Sequence, residues 1–143
     1  GRVVELYNRV KSNDPTNAAI ILVPIETSGL EADATLIDAD TLAALLSGAT
    51  NEQTTMGRKT LTDADLAALP APDDSNDRYE VSLPTVTWTA ASGNAISKIA
   101  VCYDPDTTGG TDANIIPLTM FDFAQTPSGA DIQMTTGVFF RAA

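Results

Sequence analysis

A chain of 143 residues with 19 acidic residues, 8 basic residues and no histidine carries a formal net charge of −11. Binding to nucleic acid requires clustered Lys and Arg that neutralise phosphates, so this charge argues against a nucleic-acid partner. The absence of His and the single Cys remove the commonest general base, the commonest metal ligand and any internal disulfide. The longest apolar run, residues 18–25, is far shorter than the roughly 20 residues that span a bilayer, so no membrane partner is expected.

Residues 1–17 are predicted to form an N-terminal arm in front of a single domain at residues 18–143. Four apolar residues of this arm fall at helical spacing, but a Val pair near its start would also suit a short strand, so both interpretations stay open. Residues 12–15, with the letters SNDP, are typical of a turn because Asn, Asp and Pro all favour chain reversal. The β-branched run at residues 18–26 predicts a central strand. Because Pro24 lies near its end, we expect the end of this strand at a sheet edge or at a bend.

A short helix is predicted as an insertion near residues 38–48. Its three Leu residues line one helical face, and that face is expected to pack on the core. Asp38 stands where an N-cap would bind the first free N–H groups, and Gly48 stands where a left-handed residue often ends a helix. A further helical turn is predicted after Thr62, because Thr62 and Asp65 have the spacing of a capping box.

The middle of the chain has the period-two pattern of half-buried strands. Apolar residues alternate through residues 79–83, but after Pro84 the alternation slips by one position and continues with Val86 and Trp88. A slip of one residue would turn every following side chain to the opposite face. We therefore expect a bulge, or a corner between two sheets, at Pro84 and Thr85.

Three further runs are predicted to be strands, at residues 99–103, 116–120 and 132–140, the last of them interrupted at Gly137. Cys102 lies between apolar positions of the first run, which is typical of a small buried hydrophobe rather than of a nucleophile. Short strands separated by Gly, Pro and Asx turns predict a mainly β fold. We expect a single antiparallel β-sandwich or barrel-like domain with one or two short helices.

The loop at residues 104–112 is the strongest candidate for a ligand site. Asp104, Asp106 and Asp112 lie around a Gly pair, and oxygen ligands at alternating positions before a Gly are typical of calcium loops. The position that should supply a bidentate Glu is Ile115, however, and strands rather than helices flank the loop. The three acids are therefore weak candidates for metal ligands. The alternative is that this loop is a long solvated hairpin turn without a ligand, and no metal or cofactor is predicted.

No enzymatic activity is predicted from this sequence. Without His, no Ser-His-Asp arrangement can form, and the chain has neither a phosphate-binding loop nor a dinucleotide-binding glycine pattern. Its paired carboxylates lie beside predicted helix starts or in polar loops, where acids act as caps and stabilise the helix dipole. We therefore predict no catalytic residues.

Two adjacent aromatic residues near the C-terminus, Phe139 and Phe140, conflict with strand alternation. If one of them points into the core, the other points outward. Because an exposed Phe lowers solubility unless a partner covers it, the pair favours oligomerisation.

Several stretches of the chain carry a likeness to a known group of proteins. They are DRYEVSLPxVTWTAA at residues 77–91, SKIAVCYDPDTTGGTDANIIPLT at 97–119, ExYNRVKxNDPTNA at 5–18 and GVFFRA at 137–142. These stretches, which cover most of the chain, resemble small virion structural proteins of tailed bacteriophages, those encoded beside the major capsid protein. The shared motifs are structural rather than catalytic.

The resemblance implies a capsid decoration (cement) protein that stabilises the phage head by packing against the major capsid protein. It implies a location on the capsid exterior after synthesis in the host cytoplasm, and a homotrimer would suit the local threefold positions of an icosahedral shell. Two alternatives stay open. One is a neck or tail structural subunit of the same phage, and the other is a calcium-dependent β adhesion module that uses the acids of the 104–112 loop.

Partner contacts are expected at both ends of the chain. Residues 1–11 hold three of the eight basic residues, which on an acidic chain favours docking onto a complementary surface. The predicted partner-contact residues are Arg2, Tyr7, Arg9, Lys11, Phe139, Phe140 and Arg141.

Overall fold

The computed structural model describes residues 1–70, 73 and 75–142, and this part of the chain forms eight strands and four helices. All strand pairings in it are antiparallel and strands predominate over helices, so the predicted mainly β antiparallel fold is confirmed. The strands are β1 (Ala19–Glu26), β2 (Lys59–Leu61), β3 (Tyr79–Leu83), β4 (Val86–Trp88), β5 (Ile96–Asp104), β6 (Ile116–Gln125), β7 (Ile132–Met134) and β8 (Gly137–Ala142). The helices are α1 (Arg2–Lys11), α2 (Asp33–Leu36), α3 (Leu42–Leu45) and α4 (Asp63–Leu66).

A four-stranded sheet in the order β2-β1-β5-β6 lies at the centre of the domain. Its inner strands are buried on both faces, so that Ile20 and Leu22 of β1 pack into one core while Ile21 and Val23 pack into another. Because both faces of the sheet are covered at β1, the sequence of this strand is continuously apolar instead of alternating. Cys102 of β5 is fully buried, as predicted for a small hydrophobe, and burial raises the pKa of its thiol to about 12.

Two short ribbons, β3 with β8 and β4 with β7, cover one face of this sheet. Pro84 and Thr85 separate β3 from β4, which confirms the predicted corner, and residues 135–136 separate β7 from β8 on the returning chain. The two breaks lie opposite each other and are joined by hydrogen bonds. The Thr136 hydroxyl donates to the Leu83 carbonyl oxygen at 2.8 Å, and the Thr136 N–H donates to the Thr85 hydroxyl oxygen at 3.1 Å.

Two apolar cores result, one on each face of the central sheet. The first lies between the sheet and the ribbons and contains Trp88, the only Trp of the chain, which is 1% exposed. The second lies between the sheet and helices α2 and α3, which contribute Leu36, Leu42 and Leu45. Helices α2 and α3, the central sheet and the ribbons therefore form successive layers in a sandwich-like arrangement.

Helix α1 settles the interpretation left open for the N-terminal segment. Leu6, Tyr7 and Val10 lie on its buried face and belong to the first core together with residues of β1 and β5. The expected boundary after residue 17 therefore does not correspond to a break in packing. The other end of the predicted domain, Ala143, lies outside the described residues.

The helical insertion near residues 38–48 differs from the prediction in its caps. Helix α3 starts at Leu42, and its N-cap is Thr41, whose hydroxyl oxygen accepts a hydrogen bond from the Ala44 N–H at 3.1 Å. Asp38 lies too far before this start to cap it, and Gly48 does not adopt the expected left-handed backbone. The capping box at the start of α4 is confirmed by its side-chain and backbone hydrogen bonds.

Candidate interaction surfaces

The structure brings the two predicted contact segments, α1 and the C-terminal strand β8, together. The ring of Tyr7 on α1 lies 6.3 Å from the ring of Phe139 on β8, measured between centroids. Tyr79 of β3, which pairs with β8, donates a hydrogen bond from its hydroxyl to the Asn8 side-chain oxygen at 2.5 Å. Tyr7 itself is 1% exposed, and burial raises the pKa of its hydroxyl to about 12. Its predicted role as a contact residue is therefore replaced by one in the protein's own core.

The basic residues of the predicted contact set differ in how they are used. The Lys11 ammonium donates to the carbonyl oxygen of Leu69 at 2.7 Å, so this side chain ties the end of α1 to the loop that follows α4. Arg141 forms an ion pair with Glu80 on the neighbouring strand at 2.6 Å. Arg2 and Arg9 are exposed, and Arg9 lies 3.9 Å from Glu5 one helical turn before it on α1.

A β-bulge removes the conflict between Phe139 and Phe140. Val81 pairs with Phe140, but the next residue of β3, Ser82, pairs with Val138, so Phe139 is an extra residue on β8. Such an insertion breaks the strict alternation of faces. Both Phe side chains are partly buried and pack against the first core. The expectation that one of them points outward is therefore wrong, and the pair no longer argues for oligomerisation.

The three acids of the 104–112 loop each have a partner within the protein. Asp104 accepts a hydrogen bond from the Asp106 N–H at 3.0 Å, and Asp106 accepts one from the hydroxyl of Thr108 at 2.6 Å. Asp112 forms an ion pair with Arg58. Over the part of the chain that the structure describes, no group of three His, Cys, Asp or Glu residues is placed to hold a metal ion. A calcium site built on these three acids would first have to break the ion pair of Asp112.

Arg58 joins two loops that are distant in the sequence. Its guanidinium donates two hydrogen bonds to Glu52, at 2.6 and 2.8 Å, and two to Asp112, at 2.7 and 2.9 Å. These bonds raise the pKa of Arg58, and the bond from Arg58 lowers the pKa of Asp112. We call these three residues the Arg58 clamp. This clamp could not be predicted from the sequence, because Arg58 and Asp112 are 54 positions apart and no motif contains both.

Further polar contacts tie neighbouring loops to one another. Gln53 is 1% exposed, and its side chain donates to the Asn94 carbonyl oxygen at 2.7 Å and accepts from the Thr55 N–H at 2.9 Å. Glu31 accepts a hydrogen bond from the Thr50 hydroxyl at 3.0 Å. The loops around the Arg58 clamp are therefore held by side-chain hydrogen bonds to distant parts of the chain.

Strand β6 forms one edge of the central sheet. It pairs with β5 on one side, and among the described residues no strand pairs with its other side. Five large apolar residues of this ten-residue strand are only partly buried: Ile116, Leu118, Met120, Phe121 and Phe123. A long apolar edge with unpaired backbone groups is a surface to which another strand can add.

Two grooves flank this edge, one toward each neighbouring layer. The first, of about 350 Å³, lies between β6 and the helices and is lined by Leu36, Ile37, Leu118 and Met120, among others. The second, of about 300 Å³, lies between β6 and the ribbons and is lined by residues that include Phe121 and Val138. Ile37 and Val138, 83% and 45% exposed, are the two exposed large apolar residues of the described chain, and each lines one groove.

The fold places the protein in the broad class of sandwich-like antiparallel β domains. Comparisons of the chain with protein-family models, with curated proteins and with solved structures gave no match. No helix within the described ranges is both long enough and apolar enough to cross a membrane. The surfaces and loop contacts above are therefore the basis on which a function can be proposed.

Proposed function

We propose that this protein is a structural virion protein of a tailed bacteriophage, a capsid decoration (cement) protein. It stabilises the head by packing against the major capsid protein on the outside of the shell, and it does so as a homotrimer and without catalytic turnover. It is made in the host cytoplasm before it joins the capsid. The proposal starts from the likeness of residues 77–91 and 97–119 to small virion proteins.

The observation that carries the proposal is the use of polar side chains to connect loops. Arg58 holds two loops through four hydrogen bonds, and the buried Gln53 connects a third one. Exposed loops open locally with little free energy unless such contacts hold them. A protein that remains outside the cell in an assembled particle benefits from loops that resist local opening and proteolysis.

The distribution of charge on the protein favours attachment to a surface of complementary charge. The net charge is −11, yet helix α1 carries three basic residues and a single acid, Glu5, which pairs with Arg9. An uneven charge distribution of this kind orients a protein as it approaches its partner. We therefore assign the exposed face of α1 to the contact with the capsid.

The location of the protein in intact phage particles tests the proposal. We expect reconstructions of the virion to place copies at local threefold positions on the outer capsid surface, with α1 toward the major capsid protein. Light scattering of the purified protein should give three times the 15.0 kDa mass of one chain. Rings of six or twelve copies at the neck or tail would overturn the decoration role in favour of a neck or tail subunit, and absence from the virion would overturn both.

A further inference from the structure

We infer that the outer edge of β6 is a docking site for a short extended segment of another protein, apolar on both faces and basic at its ends. The segment adds to the central sheet as a fifth strand. This inference goes beyond the proposed function, because it names a surface and a kind of partner segment without reference to a virion. It stands on three observations: the free backbone groups of β6, the two grooves, and the local charge.

The register of the sheet shows which backbone groups of β6 point outward. The Pro24 carbonyl and the Glu26 N–H of β1 bond to residues 51–53, on the side away from β5. The N–H and C=O groups of successive residues alternate between the two sides of an antiparallel strand. When this alternation is followed through the pairing of β1 with β5 and of β5 with β6, the N–H and C=O groups of Phe121 point toward β5. The N–H and C=O groups of Met120 and Asp122 therefore face away from the sheet. They are placed to pair with an added strand.

The two grooves lie where the side chains of an added strand would fall. A strand that pairs with β6 runs about 4.8 Å from it, and its successive side chains point to opposite faces of the sheet. One set would enter the groove beside Ile37, and the other would enter the groove beside Val138. Addition of such a strand therefore covers the two exposed large apolar residues of the described chain in one step.

Features of β6 itself limit the length of the segment. Pro117 lacks an N–H, and the register of the β5–β6 ladder shifts beside it, between Val101 and Cys102. Asp122, at the other end, is 87% exposed and charged. Proline, irregular pairing and exposed charge are features that prevent indefinite strand addition. These features leave residues 118–122 for pairing, which is enough for a short strand and too little for an extended fibre.

The charge around the edge favours a basic segment over a second copy of this chain. Asp33 and Asp122, 78% and 87% exposed, share the single ammonium of Lys98, which leaves an excess of negative charge at the rim of the first groove. Strand β6 carries an Asp and no basic residue. Pairing of β6 with its own copy would bring like charges together on molecules that each carry a net charge of −11. A Lys or Arg at the end of a foreign strand would meet these carboxylates instead.

A labelled heptapeptide tests the inference with the intact protein. It has Val at its three central positions, Thr on either side of them and Lys at both ends. We expect saturable binding by fluorescence anisotropy with a Kd on the order of 100 μM. Amide shifts in a ¹⁵N NMR titration should be largest at residues 117–123 and at the residues that line the two grooves.

Matched probes and variants separate strand addition from non-specific adhesion. Pro at the central position of the peptide should abolish binding, and Glu at both ends should weaken it several-fold. Ile37→Ser and Val138→Ser should each weaken binding about fivefold, because each removes apolar contact area from one groove. Val3→Ser is the control, since Val3 is half-buried on α1, lines neither groove and should leave binding unchanged.

Three results of the peptide-binding experiments would overturn the inference. They are no binding at 1 mM peptide (about tenfold above the expected Kd), equal binding of the Pro-containing peptide, and insensitivity to both groove substitutions. Dimerisation of the protein that the peptide reverses would also overturn it as stated, because the occupant would then be a second copy. Failure of the protein to appear on the capsid would contradict the proposed function and leave the peptide result intact.

Discussion

Replacement of Arg58 by Ala removes the residue that holds the loops of Glu52 and Asp112 together. The guanidinium makes four hydrogen bonds of 2.6 to 2.9 Å to these two carboxylates. Glu52 is 13% exposed, so after the substitution its charge stays largely buried without its counterion. We therefore expect R58A to destabilise the fold more than the loss of an ordinary surface ion pair does.

The magnitude follows from burial. An exposed ion pair contributes about 0–1 kcal/mol, whereas removal of one partner from a fully buried pair costs about 3–5 kcal/mol. The side chains of Arg58 and Asp112 are 29% and 37% exposed, so the clamp lies between these limits. We expect a loss of about 2 kcal/mol in the free energy of unfolding, and a fall of about 6 °C in Tm for a chain of this size.

The pH dependence of this loss identifies its origin. The hydrogen bond from Arg58 holds the pKa of Asp112 below its ordinary value of 3.8. A carboxyl group whose pKa is lowered by folding stabilises the folded state fully above its unfolded pKa, and this contribution disappears as the pH falls through the folded pKa. The difference in stability between the wild type and R58A should therefore be constant near neutral pH and shrink below pH 3.8.

Urea unfolding followed by Trp fluorescence, with Tm from calorimetry, measures the effect at pH 7 and at several pH values down to 3. Arg141→Ala is the matched control, because Arg141 is 57% exposed and its partner Glu80 also lies near Arg78. R141A should change the free energy of unfolding by no more than about 0.5 kcal/mol. The Arg58 clamp does not hold the two loops together if R58A lowers the free energy of unfolding no more than R141A does, or if this loss does not depend on pH.

Three further predictions concern buried groups and one tight turn. The thiol of Cys102, with a pKa near 12, should react with a thiol reagent at pH 8 only as fast as the domain unfolds, and rapid labelling of folded protein would contradict its burial. Trp88→Phe should cost about 1–3 kcal/mol in urea unfolding followed by circular dichroism, because the smaller ring leaves a cavity and a 2.9 Å hydrogen bond from the indole N–H to a loop carbonyl oxygen is lost. A loss below 0.5 kcal/mol, about the size of the effect of a surface substitution, would mean that neighbouring side chains fill the cavity. Gly29→Ala should lower Tm clearly more than Gly129→Ala, although both glycines have positive φ. A Cβ at Gly29 would lie 2.2 Å from the Ala49 carbonyl oxygen, whereas a Cβ at Gly129 would meet no atom within 4 Å. Equal Tm changes would show that backbone strain alone decides.

Features that depend on neighbouring residues in the sequence were predictable. The slip in apolar alternation at Pro84 indicated the corner between β3 and β4, because period two leaves no other way to keep the apolar side chains inside. The capping box of Thr62 and Asp65 indicated the start of α4 for a similar reason, since its hydrogen bonds span three residues. These signals lie within a few residues of the structure that they specify.

Features that depend on the partner strand or on distant loops were not predictable. The bulge at Phe139 exists because Val81 and Ser82 on β3 pair with residues two positions apart, and the sequence of β8 alone does not contain this shift. Arg58 and Asp112 lie 54 positions apart, and only the arrangement of the folded chain brings them together. The position of β6 at an edge depends on strand order, on which hydrophobic periodicity carries no information. The grooves beside it were therefore missed as well.

The pairing of β1 with β5 has a consequence for how the protein is made. Ala19 pairs with Asp104 and Glu26 with Ile96, so roughly 70 residues of chain must leave the ribosome between the two strands. At about 5–20 residues per second, this takes on the order of 4–14 seconds. Throughout that interval the eight-residue β1 has only the three-residue β2 to pair with, and apolar segments in that state aggregate readily. Soluble yield should therefore depend on translation rate, temperature and chaperone supply more than on the stability of the finished domain.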